Sequence, residues 1–347
     1  MKFYITNNNN QRLLYKIINR FGYECDIIEN YKGEDAYFII NTQEVHDEYW
    51  TNFLKNDKLI FLLDDGPEGY PQILRLEYTR FYNVLDEFKV NRNRGIICYN
   101  NAYNKGVVHY NNHNITMLYI PTFALNPFNS YLPNKNKIIP KYDYSYLVRN
   151  GKKHKEEGYF KIRNKNLDNV FITYKKNRNF IDDSIFDDIN DNLHDEWKFH
   201  LKSEVYYNSK IQIIAESEYY SQHTNDNPNF FEEMLHLSEK TWRNISYGLP
   251  FVLISSRGSL YELKRLGFKT FDTLIDESYD TMDDSIRMDY AIDAAKELLK
   301  HHNTYELNNI IEYNKARMYD DIKMKNLLET ESFIPLRKYV KDLEITE

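Results

Sequence analysis

Hydrophobic and polar positions along this chain alternate between two periods. Leu13, Leu14, Ile17 and Ile18 recur at helical spacing within Gln11 to Phe21, and Gly22 stops the run. Short apolar stretches surround it. Lys2 to Thr6, Glu24 to Ile28 and Asp35 to Ile40 read as strands, with Asn7 to Asn10 a polar turn. A helix over Glu44 to Lys55 and a buried strand over Lys58 to Leu63 repeat the pattern. Gly95 to Tyr99 predicts another strand, and Val107 to Tyr110 with Ile115 to Tyr119 predicts a hairpin across Asn111 to Asn114. This is a first α/β domain.

Pro121, Pro127, Pro133 and Pro140 punctuate a stretch without periodicity, which reads as an inter-domain linker. Beyond it, Asn169 to Tyr174 predicts a strand. Ile181, Ile185, Ile189 and Leu193, spaced by four, predict an amphipathic helix with an acidic solvent face. Lys210 to Ala215 predicts a buried strand that ends at Glu216.

The stretch from Phe231 to Asp280 is the most informative. Ser238 precedes Glu239, Lys240 and Thr241 and opens a helix that Gly248 stops. Phe251 to Ile254 follows as a strand. Ser259 reads as the N-cap of a helix ending near Gly267, and Phe268 to Phe271 as the next strand. Helices over Met288 to His301 and Thr304 to about Leu328 complete the chain. Helix–strand alternation with short loops predicts parallel, doubly wound sheets, whose ligands sit beyond the carboxyl ends of the strands. The expected division is a first α/β domain over 1–132, a basic linker region over 133–168, a second α/β domain over 169–328 and a tail over 329–347. The charged tail can pack back across the first domain or remain loose.

Composition narrows the picture. The net charge of −7 excludes a global basic field that would draw the chain to nucleic acid, and leaves room for a local patch. Cys25 and Cys98 sit in apolar surroundings and form no disulfide framework. The opening MKFYITNNNN lacks the apolar core of a signal peptide, and no run approaches the ~18 apolar residues of a membrane span. The expectation is a cytoplasmic protein, in host cytoplasm if viral, with no membrane partner. The 31 tyrosines and 20 phenylalanines carry much of the apolar load. They reflect either AT-rich codon usage or a surface that stacks bases or sugars. Lys135, Lys137, Lys141, Arg149, Lys152, Lys153, Lys155, Lys161, Arg163 and Lys165 form a basic tract, either a solvated face or a patch for a polyphosphate or nucleic-acid backbone.

The sequence has no G-x-G-x-x-G, no P-loop, no Cys/His zinc cluster and no Asp-x-Asp pair, so a metal-free mechanism is favoured if sugar transfer is the activity. Asp64, Asp65 and Glu68 lie at a strand's carboxyl end among Gly66, Pro67 and Gly69, as a catalytic site or as an ordinary turn. Lys175 and Arg178 follow one strand, Glu216 another, and Glu239 and Lys240 open a helix. In a parallel sheet these points converge on one crevice. Cations at a helix N-terminus there bind diphosphate without metal, and a carboxylate accepts from ribose hydroxyls.

IIAESEY (213–219) followed by SEKTWRNISYGLPFVL (238–253) resembles the donor-site signature of the alpha-1,3-fucosyltransferase-like glycosyltransferases. There a strand ending in Phe-Glu-Asn precedes a Thr-Glu-Lys helix start and a Gly-x-x-Pro-Val strand. FITYKKNR (171–178) is similar to the basic strand end that contacts donor diphosphate in that family. GFKTFDTLIDESYD (267–280) resembles a tail of uncharacterised viral and phage proteins. The resemblance covers about 170–290. It implies a GT-B-like α/β fold, two Rossmann-like domains facing each other across a cleft, and an inverting transfer without a metal or further cofactor. The co-substrate is a nucleotide-diphosphate sugar; the acceptor is a glycan or a modified base, such as a hydroxymethylated base in phage DNA. Arg178 and Lys240 would grip the diphosphate, with Lys175 and Thr241 in the same site; Glu239 would hold the ribose and Glu216 line the donor pocket. Ser217 stands where the family has Asn, which leaves the sugar open. Inverting transfer needs a base on the acceptor side, for which Asp65, then Glu68 and Asp64, are the candidates. The alternative is a non-catalytic nucleic-acid-binding protein using the basic tract and the aromatic residues.

Overall fold

The computed structural model describes residues 2–5, 13–33, 36–40, 59–64, 82–87, 89, 91–99, 107–110, 115–121, 139–148, 152–173, 206–217, 219 and 235–346. The helices expected over 44–55 and 181–193 fall outside them. The chain is α/β and divides into two compact units. Unit 1 comprises Met1–Leu125, Thr224–Met234 and Asp320–Glu347; unit 2 comprises Asn126–His223 and Leu235–Tyr319.

Unit 1 is built on a seven-stranded sheet in the order β2-β1-β3-β4-β5-β7-β6. The strands are β1 (Lys2–Ile5), β2 (Glu24–Ile27), β3 (Tyr37–Ile40), β4 (Ile60–Asp64), β5 (Gly95–Tyr99), β6 (Val107–Tyr110) and β7 (Ile115–Tyr119). All neighbours are parallel except the β6–β7 hairpin at one edge. Phe3, Tyr4, Phe38, Phe61 and Leu62 are fully buried, as parallel strands covered on both faces require. Tyr4 stacks on Phe38 at 5.5 Å between ring centroids, so aromatic rings here fill the core. α1 (Leu13–Arg20) turns Leu14, Ile17 and Ile18 inward.

The chain's last elements belong to this unit: α7 (Asp321–Leu328), a π-helical turn (Glu329–Phe333) and α8 (Ile334–Thr346). Arg20 pairs with Asp321 at 2.6 Å, Lys325 Nζ donates to the Phe21 carbonyl at 2.7 Å, and Tyr23 donates to Glu329 at 2.5 Å. Phe333 sits against Phe3 and Tyr23, with ring centroids 5.7 and 5.0 Å away. The tail therefore packs on the first unit.

Unit 2 carries a four-stranded sheet, β11-β10-β8-β9, parallel throughout. Its strands are β8 (Tyr142–Tyr146), β9 (Val170–Ile172), β10 (Ser209–Ala215) and β11 (Phe251–Ile254). β8 and α2 (Lys153–Asn164) arise from the stretch expected as a basic linker region over 133–168. YDYSY conceals its strand because its buried positions are tyrosines and a serine. Ser145 satisfies its hydroxyl by donating to Gln212 of the neighbouring β10, and Gln212 donates in turn to the Tyr206 carbonyl at 2.8 Å.

α3 (Glu239–Tyr247) begins as expected: Ser238 Oγ accepts from the Lys240 amide, and Gly248 closes the helix at φ 65°. α4 (Ser259–Arg265) differs. Gly258 is its N-cap, at φ 81°, and the Ser259 hydroxyl donates to the Ser256 carbonyl. The cap comes from a distance: Asp280 accepts from the amides of Leu260 at 3.0 Å and Tyr261 at 3.1 Å. Phe268 to Phe271 is not a strand. Its phenylalanines are buried, and the Asn314 amide takes the place of a neighbouring strand: Lys269 N donates to Oδ1 at 2.8 Å and Nδ2 donates to the Lys269 carbonyl at 2.7 Å. α5 (Asp284–Lys300) and α6 (Tyr305–Met318) follow, and the single helix expected from Thr304 is broken at Tyr319, with Asp320 capping α7.

Among the described residues no helix is long and apolar enough to cross a membrane.

Candidate functional site

The order β11-β10-β8-β9 contains a reversal. From β8 the chain adds β9 on one side and then β10 on the other. The carboxyl ends of β8 and β10 therefore part into a crevice, the place where open α/β sheets bind ligands. Three chain segments meet there: the start of α2, the residues after β10, and the start of α3.

Lysines come to it from two helix starts. Lys152, the N-cap of α2, donates its ammonium to the Ser217 carbonyl at 2.8 Å. Lys240, in the first turn of α3, donates to the Ser217 hydroxyl at 3.3 Å and to Ser238 Oγ at 3.1 Å. The two cations thus converge on one residue. Lys155, one turn into α2, is 8 % exposed, and its ammonium has no hydrogen-bond or ion-pair partner among the described residues. Burial, then the charges of Lys240 and Lys152, pull its pKa down to about 8, against weaker opposition from Glu216 and Glu239. The N-cap Lys152 makes no side-chain capping bond to α2.

Two carboxylates lie beside these lysines and differ in purpose. Glu216 is fully buried. Its carboxylate accepts from the Ser238 amide at 3.1 Å, from the Ser238 hydroxyl and from the Thr241 hydroxyl at 2.5 Å. It braces the start of α3 and aims Lys240. Glu239 is partly exposed and stands 3.2 Å from the Lys240 ammonium. Burial alone would raise its pKa, but Lys240 and Arg243 hold it down at about 2, so it is an anion with room to accept.

A buried frame holds the crevice. His154 donates from Nε2 to the Glu216 carbonyl at 2.9 Å and lies flat on Tyr219, with ring centroids 5.7 Å apart. Burial, outweighing that bond and helped by the three lysines, pushes its pKa down to about 3, so the ring is neutral with its proton on Nε2. Arg287, 1 % exposed, donates to the carbonyls of Ser255 at 3.1 Å, Met282 at 2.9 Å and Tyr219. It ties the ends of β10 and β11 to α5. Tyr146 donates to the Lys155 carbonyl at 2.9 Å, an approach open only because residue 158 is glycine: a Cβ there would collide with the hydroxyl.

Of the residues singled out from the sequence, the structure brings Glu216, Glu239, Lys240 and Thr241 together. Lys175, Arg178, Asp65 and Glu68 lie outside the described residues, and Asp64 is placed only as the last residue of β4. Lys152, His154 and Lys155 were not singled out as site residues. Lys152 and Lys155 were read within a uniform basic tract, and the tract is not uniform: Lys161 pairs with Asp289 of α5, and Lys165 with Asp293 at 2.5 Å. Helical spacing carries the signal, since Lys165, the C-cap of α2, follows Lys161 by four residues, and 289 and 293 share one face of α5. Among the described residues no group of three or more His, Cys, Asp or Glu is placed to hold a metal ion. No family model matches the chain, and the curated proteins yield no match to it.

Proposed function

We propose that unit 2 binds the diphosphate of a nucleotide-sugar donor in this crevice, and that the chain is a metal-independent, inverting glycosyltransferase of GT-B type. The observation that carries the reading is the convergence of Lys152, Lys155 and Lys240 at the switch point of a parallel sheet, with Lys155 buried and without a hydrogen-bond or ion-pair partner among the described residues. Among the described residues, the three lysines outnumber the two carboxylates of Glu216 and Glu239. A diphosphate is the dianion that such a place suits. The resemblance of 213–219 and 238–253 to the fucosyltransferase-like donor site supports the same end of the same sheet.

The roles follow from chemistry. The lysines neutralise the departing diphosphate as the bond between sugar carbon and phosphate oxygen breaks. Glu239 accepts from the ribose hydroxyls. Glu216 and Thr241 hold α3 in register. Arg178 and Lys175, which follow β9 in the sequence, would add cations. The acceptor hydroxyl, on a glycan or a hydroxymethylated base in phage DNA, attacks the anomeric carbon as a base removes its proton. Asp65, followed by Glu68 and Asp64, is the candidate base.

Calorimetry with a panel of nucleoside diphosphates tests the reading. One of them binds, and Lys240→Ala weakens it by about 10- to 100-fold, the worth of one charge-assisted hydrogen bond. Asp65→Ala binds donor unchanged and loses turnover. Silence across the panel would leave nucleic-acid binding by the basic tract as the better reading. That alternative is weakened by the engagement of Lys161 and Lys165 with α5.

A further inference from the structure

Lys155 is an unusual place for a cation. Its carbonyl is held by the Tyr146 hydroxyl of β8, which anchors this turn of α2. Among the described residues, the charged groups that act on it are already engaged or of like sign. Lys152, on the same helix, and Lys240, from α3, repel it. His154 is neutral. Glu216, from the end of β10, has its carboxylate taken by Ser238 and Thr241. Glu239, from α3, stands against Lys240. The amine therefore belongs to a buried side chain, is crowded by cations and has no anion of its own among the described residues.

We propose that a diphosphate entering the crevice drives uptake of one proton from the buffer at Lys155, so that pH regulates occupancy of the site. The inference rests on the donor reading above and adds a property that the reading does not require. In the empty site the amine sits at a pKa of about 8 and is divided between its two forms near that pH. A dianion beside it favours the ammonium, and the nitrogen lone pair accepts a solvent proton as the complex forms. The sign is determined by linkage: a group whose pKa rises on binding takes up protons, and affinity falls as pH rises above the pKa of the empty site. Below that pH the lysine is already charged, and binding is indifferent to pH.

The experiment is calorimetry of the full chain with nucleoside diphosphates at about pH 8, in buffers of differing ionisation heat; there the nucleotide phosphates are fully ionised. About half a proton is absorbed per nucleotide bound, and affinity declines about tenfold per pH unit above about 8. Lys155→Arg, charged throughout, binds without proton uptake and with a flat pH profile. Lys155→Met, never charged, is weak at neutral pH and approaches the wild-type affinity only at high pH. Its flat profile carries the test if the arginine variant does not fold. Binding by the wild type without proton uptake overturns the inference and leaves the donor reading standing, as does uptake that persists in Lys155→Arg. Failure of every nucleoside diphosphate to bind at any pH removes the donor reading and this inference with it.

Discussion

At the scale of single residues, the crevice is made of groups that the fold holds away from their ordinary states. His154 shows this most simply. Its pKa is driven down to about 3, whereas the unfolded ring titrates near 6.5. The folded value lies below the unfolded one, so the contribution to stability is complete above about pH 6.5 and is lost as pH falls towards 3. The loss approaches at most about 1.4 kcal/mol per pH unit in that window. Chemical denaturation between about pH 7 and 4 should show it, and His154→Gln, whose amide can still donate to the Glu216 carbonyl, should show a shallower decline; equal slopes would mean that other groups carry the effect. The residue scale is also where the sequence is read least completely. Glu239 and Lys240 stand out because an N-cap serine fixes their place in a first turn. Lys155 is hidden in a lysine-rich tract, since burial and the company of Lys152 and Lys240 arise only when β8 and β10 lie side by side. Glu216 was legible as a residue of the site, but its engagement with Ser238 and Thr241, a bracing role, depends on how α3 approaches the strand end.

At the scale of elements, local chemistry was legible where the chain satisfies itself locally. β5, β6, β7 and β11 have the bounds that apolar runs between turn residues predict, and α3 has its serine and its glycine. Distant partners account for the differences. Asn314 replaces a strand beside Lys269, and Asp280 caps α4 from 20 residues away. Asp280 lies in the 267–280 stretch, and this gives that stretch a structural duty: it caps α4. Asp280→Ala should therefore destabilise the protein by about 1–2 kcal/mol, as loss of an N-cap does. Hydrogen exchange should locate the loss, with faster exchange at the Leu260 and Tyr261 amides. Unchanged protection there would show that α4 is capped by something else. β8 was missed for a related reason: Tyr, Asp and Ser make a weak apolar signal until Gln212 supplies the partner that lets Ser145 be buried.

At the scale of the whole molecule, the chain's order and its packing diverge. Residues 320–347 leave unit 2 and complete unit 1. Nothing in the tail's own pattern compels this, which is why the sequence left it either packed or loose. The contacts on the first unit decide it, and Phe333 is their centre. It is fully buried against Phe3 of β1 and Tyr23 of the loop before β2, inside a π-helical turn whose Glu329 accepts from Tyr23. Phe333→Ala removes a ring from an aromatic cluster that has little means to collapse, and should cost about 3–5 kcal/mol. Because the ring belongs to unit 1 and the lysine crevice to unit 2, the loss should appear as earlier unfolding of unit 1. Affinity for a diphosphate, measured under conditions where the variant remains folded, should be unchanged. A denaturant titration followed by amide exchange separates the two. Early loss of protection in β1, β2 and α1, with β8, β10 and β11 still protected, is the expected result. Simultaneous loss in both sheets would mean that the effect of the ring is not confined to unit 1.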